Sequence, residues 1–200
     1  MDEKKKLNFV LVFTIGYLIL FTVLAVFHGN YEFLYYALVM SGLLVLIAIF
    51  HLRFYMTGHI ITGLSILGFL HVAGGNIHIA GTRLYDIYLI GSFFKYDNLV
   101  HSFGIFVATF IGYNFLIPHL DQKIKYHRAM LAVILVAVAM GFGSFNEILE
   151  FFAVLYLDAG EAVGGYFNNA WDLFYNLMGS IAALVFIHFH RERERSRRKK

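Results

Sequence analysis

From residue 7 to residue 27 the chain carries no Asp, Glu, Lys or Arg, and that run constrains the fold more than any other feature. A helix of about 20 apolar residues crosses a hydrocarbon core of roughly 30 Å. Five further stretches reach that length: 33–52, a third within 54–82, 99–120, 129–157 and 171–190. The fifth holds Glu147 and Glu150 in its interior, and the sixth has Asp172 in its first turn. Charged residues are 14% of the chain and hydrophobic ones 60%, whereas soluble domains carry about 25% charged residues. Too little charge remains to coat a water-facing surface. The expected fold is all-α, a polytopic membrane bundle of six transmembrane helices at about 7–27, 33–52, 58–78, 97–118, 129–157 and 171–190. These form one membrane domain, 1–190, followed by a basic tail, 191–200.

Lys4-Lys5-Lys6 ahead of an apolar run resembles a secretory signal. The run exceeds the 7–15 residues of a signal's apolar region, however, so it reads as a retained first helix. An even number of spans puts both termini on one side. That side holds fourteen of the sixteen Lys and Arg, and the other only Arg83 and Lys95. Positive charge marks the cytoplasmic face, so both termini are expected in the cytoplasm and the protein in the inner or plasma membrane. The tail carries seven basic and two acidic residues, a net +5 that exceeds the +3 of the whole chain. The basic balance is thus a topology anchor against anionic headgroups and not a nucleic-acid surface. With no cysteine, disulfides, thiolate metal sites and a cysteine nucleophile are excluded.

Ionisable residues inside spans are costly and face a bundle interior or a wet cavity. In the third span Gly68, His71, Gly75 and His78 share one helical face, and Gly74-Gly75 is expected to unwind the outer end. The fourth aligns Asp97, His101, Gly104, Ala108 and Gly112; the fifth Gly143, Glu147 and Glu150; the sixth Asp172, Asn176, Gly179 and Ala183. Small residues let helices approach closely in lipid, so each stripe reads as an inward face. At 1.5 Å per residue, all four stripes set their ionisable groups in the outer third of the membrane.

Mixed carboxylate and imidazole ligands suit Zn, Mn or Fe. His101, Glu147, Glu150 and His71 are the candidate ligands of a divalent metal. Glu147, Glu150, Asp97 and Asp172 are candidates for proton transfer and ligand orientation, and Asn146, Asn176 and His78 for contacts to substrate. The same Asp97, Asp172 and Asn176 also suit helix caps or a buried network that only fixes packing.

Three segments carry a resemblance. Tyr96-Asp97-Asn98-Leu99-Val100-His101-Ser102-Phe103-Gly104 resembles a Y-D-x-x-V-H-x-x-G motif, and Asn146-Glu147-Ile148-Leu149-Glu150-Phe151 an E-x-x-E-aromatic motif. The stretch from Trp171-Asp172 through Asn176 to Gly179 resembles W-D-x-x-x-N-x-x-G. Together they resemble the YjdF-like family of small prokaryotic inner-membrane proteins, itself similar to the VanZ-like proteins linked to glycopeptide resistance. The likeness spans roughly 71–183, and Asn98 stands where family members often have a basic residue. It implies the site residues without naming a reaction.

Three functions compete on these residues. One is a metal-assisted enzyme acting on a lipid or lipid-linked envelope substrate. The second is a small cation- or proton-coupled transporter, and the third a non-catalytic membrane protein that holds an envelope ligand. Membrane lipids are the expected partners in each.

Overall fold

The computed structural model describes residues 3–54, 56–157, 160 and 164–198, without the side chains at 32, 33, 52–54, 194, 195 and 198. Of the residues counted for orientation, Arg53, Arg195, Arg198, Lys199 and Lys200 therefore lie outside the described side chains. Six helices are long and apolar enough to span a membrane. They are α1 Glu3–His28, α2 Tyr31–Phe54, α3 Gly58–Asn76, α4 Tyr96–Leu116, α6 Arg128–Leu157 and α7 Tyr166–Arg198, with a short α5, Gln122–Tyr126, between α4 and α6. The protein is an all-α polytopic bundle, and six crossings leave both termini at one end.

The opposite, far end is covered by the link between α3 and α4. Strands β1 His78–Ile79 and β2 Thr82–Arg83 pair antiparallel, a 3-10 turn spans Leu84–Asp86, and β3 Tyr88–Ile90 pairs with β4 Phe94–Lys95. The first hairpin turns on Ala80 and Gly81, both at positive φ (52° and 82°), as a two-residue hairpin loop of the primed type requires. The expected third span is shortened by this hairpin: α3 stops at Asn76 and His78 falls on a strand. Gly74-Gly75 does not unwind the helix. Its use is steric, because a Cβ on Gly74 would lie 2.8 Å from the Tyr85 ring.

The sixth span starts earlier than its apolar run. Gly164 takes φ 85° and the helix begins two residues later, so Asp172 sits about 9 Å inside α7. At its other end α7 continues through the basic residues to Arg198. There Arg191 Nη2 donates to the Lys125 carbonyl at 2.8 Å, and Arg128 pairs with Glu192 at 2.7 Å.

Packing is uneven. α4 and α7 meet backbone to backbone: a Cβ on Gly179 would collide with the Ser102 carbonyl oxygen. α1 and α3 are joined by Tyr17, Phe21 and Phe69 and by a 2.7 Å hydrogen bond between Thr14 and Ser65 hydroxyls. Leu131 and Leu135 of α6 pack on Ile187 of α7 near the terminal end. By contrast, only Tyr36 and Ala37 are buried among the described side chains of α2. Exposed Phe9, Val133 and Phe186 lie on the outer faces, where a lipid-immersed bundle places them.

Candidate functional site

The site grows from the first turns of α4. Asn98 Oδ1 accepts the Lys95 backbone N–H at 2.9 Å, which fixes the helix start and points Asp97 and His101, one turn apart, at α6 and α7. Asp97 Oδ1 lies 3.5 Å from His101 Nε2. α7 sets Asp172 Oδ1 3.8 Å from the same nitrogen, and α6 sets Glu150 Oε1 at 3.9 Å. Glu147 Oε1 stands 3.9 Å from the other ring nitrogen, Nδ1. One imidazole is thus surrounded by four carboxylates from three helices, as the aligned stripes in the sequence implied.

All five side chains are shielded. His101 is 9% exposed, Asp97 17%, Glu147 and Glu150 14%, and Asp172 0%. Two carboxylates are held by amides one turn away, since Asn146 Nδ2 donates to Glu150 Oε1 and Asn168 Nδ2 to Asp172 Oδ2, each at 2.8 Å. Asp172 Oδ1 and both Glu147 carboxylate oxygens find no hydrogen-bond partner among the described residues. Ionised together, four carboxylates against one imidazole would carry an excess of negative charge, and unscreened like charges this close repel strongly. A cation is the counter-charge that such a donor set suits. Two groups have ligand atoms within 4.8 Å of one another, Asp97–His101–Asp172 and His101–Glu147–Glu150, and they share His101.

The remaining expected residues are placed differently. His71 belongs to neither group; its Nδ1 is hydrogen-bonded to the Tyr85 hydroxyl at 2.6 Å, and its ring meets Tyr36 edge-on at 5.0 Å. Burial, reinforced by the nearby Asp97 and Glu150 charges, pushes the Tyr85 hydroxyl well above its ordinary pKa of 10, so it stays protonated. Asn176 is 1% exposed, with both amide atoms lacking a partner, and it lies against Gly143, where a Cβ would come within 2.7 Å. His78 is exposed on β1 and belongs to neither ligand group. Sequence reasoning missed Tyr85 and Asn168. Asn168 sits four residues before Asp172, a spacing that could have found it. Tyr85 sits in a link with no periodicity and left no comparable signal.

A cavity of about 850 Å³ opens beside the cluster, lined among others by Asp97, His101, Glu150, Asn146 and Asn176. Its wall also includes His71 and Tyr85.

A family model described as a predicted membrane protein, DUF2238, matches residues 9–193. The chain belongs to the DUF2238 family. The match runs from the second turn of α1 into the basic turns of α7, so family membership covers all six spans and every residue of the cluster. No curated protein and no solved structure matches the chain.

Proposed function

We propose that this DUF2238 protein is a metal-assisted enzyme of the inner or plasma membrane, with cytoplasmic termini, acting on a lipid or lipid-linked envelope substrate. The observation that carries this is Asp172. It is fully buried, its Oδ1 has no hydrogen-bond partner, and that oxygen points at a histidine ringed by three further carboxylates. If ionised, a carboxylate buried in this way is tolerated when it is paired or coordinates a metal. His101, Glu147 and Glu150 would hold the cation, and Zn, Mn or Fe suits the donors. When bound, such an ion polarises a substrate oxygen or activates a water. Asp97 and Asp172 would orient His101 and move protons, while Asn146 fixes Glu150 and Asn176 faces the cavity. Our placement within the YjdF-like group, with its likeness to VanZ-like proteins, rests on the three motifs.

The test pairs metal stoichiometry with melting temperature for wild type, Glu147→Gln, Glu150→Gln and His101→Gln, purified without chelators. Metal affinity should fall about 10–100-fold, the order seen when even a supporting group of a metal site is lost, with the fold intact. A metal-free wild type whose variants are equally or more stable would return the cluster to a packing network. The cavity's reach from Asp97 past Phe115 favours one second reading, a cation- or proton-coupled transporter, which metal-dependent flux in vesicles without product formation would select.

A further inference from the structure

Arg83 and Lys95 are the two basic residues that the sequence leaves on the far side of the membrane, and both line the same cavity. At about 850 Å³ it lies in the upper part of the roughly 300–1,000 Å³ that ligand pockets occupy. Its shape follows from α2. Tyr36, Leu43, Ile47 and Phe50 of that helix line it at spacings of seven, four and three, a single helical face. From Tyr36 to Phe50 that face is about 21 Å long. Phe50 and Phe115, with ring centroids 5.9 Å apart and edge to face, stand at its terminal end. The far end is polar, with Arg83 paired to Asp86 at 3.1 Å and Lys95 Nζ 5.5 Å from the Tyr88 ring centroid, next to Asp97, His101 and Glu150.

An apolar slot with a charged mouth, inside a bundle that lipid surrounds, matches one chemistry. We propose that the cavity seats one anionic phospholipid, its phosphate at Arg83 and Lys95 and a hydrocarbon chain laid along α2 towards Phe50. Half of the roughly 30 Å hydrocarbon core is about 15 Å, so a slot of this length takes one leaflet-long chain together with part of its head. This inference rests on the reading of the site as acting on a lipid and names the lipid's class. It sets the phosphate beside the carboxylate–histidine cluster, where a bound cation would offset the carboxylate charge.

The test is photocrosslinking in phosphatidylcholine vesicles that contain either a photoactivatable phosphatidylglycerol or a photoactivatable phosphatidylcholine, with labelled peptides identified by mass spectrometry. The phosphatidylglycerol probe should label the 43–50 segment of α2 and the 108–115 segment of α4. Arg83→Gln and Lys95→Gln should each lower that labelling about fivefold, the worth of one basic residue against an anionic headgroup. The two are made separately, so that misfolding of one leaves the other to decide. Ile47→Trp should block labelling by filling the slot, whereas Val133→Trp on the outer face should not. Label confined to the outer faces, equal labelling by both probes, or loss of the label on adding a polyprenyl phosphate but not phosphatidylglycerol would overturn the proposal. Metal content is measured on the same preparations. Labelling lost with metal retained breaks this inference alone, and labelling retained on a metal-free protein breaks the metal reading alone.

Discussion

The α4–α7 contact and the setting of α2 differ in what the sequence offers the packing. Along α7 run Gly179, Ser180 and Ala183, with Asp172 and Asn176 beside them, while the glycines of α4 serve its other neighbours, Gly104 against Leu67 of α3 and Gly112 against Val138 of α6. Between α4 and α7 the backbones touch. α2 is strongly apolar but has one glycine, Gly42, which meets nothing within 4 Å. In lipid an apolar side chain gains little by leaving hydrocarbon for protein, so association depends on close packing of small residues and on interhelical hydrogen bonds. α4 and α7 have the close approach, at Gly179 against Ser102, whereas among the described side chains of α2 only Tyr36 and Ala37 are buried. The cavity is the space that this difference leaves.

The sharpest way to break that comparison is Gly179→Ala. Its Cβ has only backbone to displace, so melting temperature in detergent should fall by the equivalent of about 3 kcal/mol, the upper part of the range for overpacking. Gly42→Ala on α2 should stay within about 0.5 kcal/mol of wild type. Equal tolerance would mean that the two contacts are not different in kind. A smaller effect is expected at the link over the far end. Tyr85→Phe removes the hydrogen bond to His71 and should cost about 0.5–1.5 kcal/mol, the net worth of one such bond. It should leave metal content unchanged, because His71 lies outside both ligand groups. Smallest is Thr14→Val between α1 and α3, which removes one interhelical hydroxyl pair. Here about 0.6 kcal/mol is the average for such bonds within a bilayer.

The same contrast explains what could be read in advance. The spans, and the shared face of Asp97 with His101 and of Glu147 with Glu150, follow from two strong local rules, the length of an apolar run and the helical period. The convergence of these faces followed because small residues beside them marked where neighbours come close. What the sequence did not expose lies where neither rule applies. The elements within residues 77–95 are too short for a periodic signal, so the spacing carries His78 on with the third span and nothing in the sequence marks Tyr85. The start of α7 was set by apolarity at 171, although the polar Asn168 and Asn169 are helical too. A polar first turn is compatible with a helix whose side chains bond within it, as Asn168 does with Asp172. His71 shows the limit of alignment by face, since the hydrogen bond at its Nδ1 comes from Tyr85 of the link.

α7 has one further consequence. It runs unbroken from Tyr166 to Arg198, so Asp172 and Arg191 belong to one rod, about 28 Å apart along its axis. No proline or glycine lies between Gly179 and the basic turns, and no kink is available there to absorb a displacement. At its lower end the rod is moored by Arg191 and Glu192 to the α5–α6 corner; near the top it is wedged against Ser102. Asp172 and the Arg191 anchor are therefore two points of one unbroken element, almost a membrane's thickness apart, and a rigid displacement of either is a displacement of both.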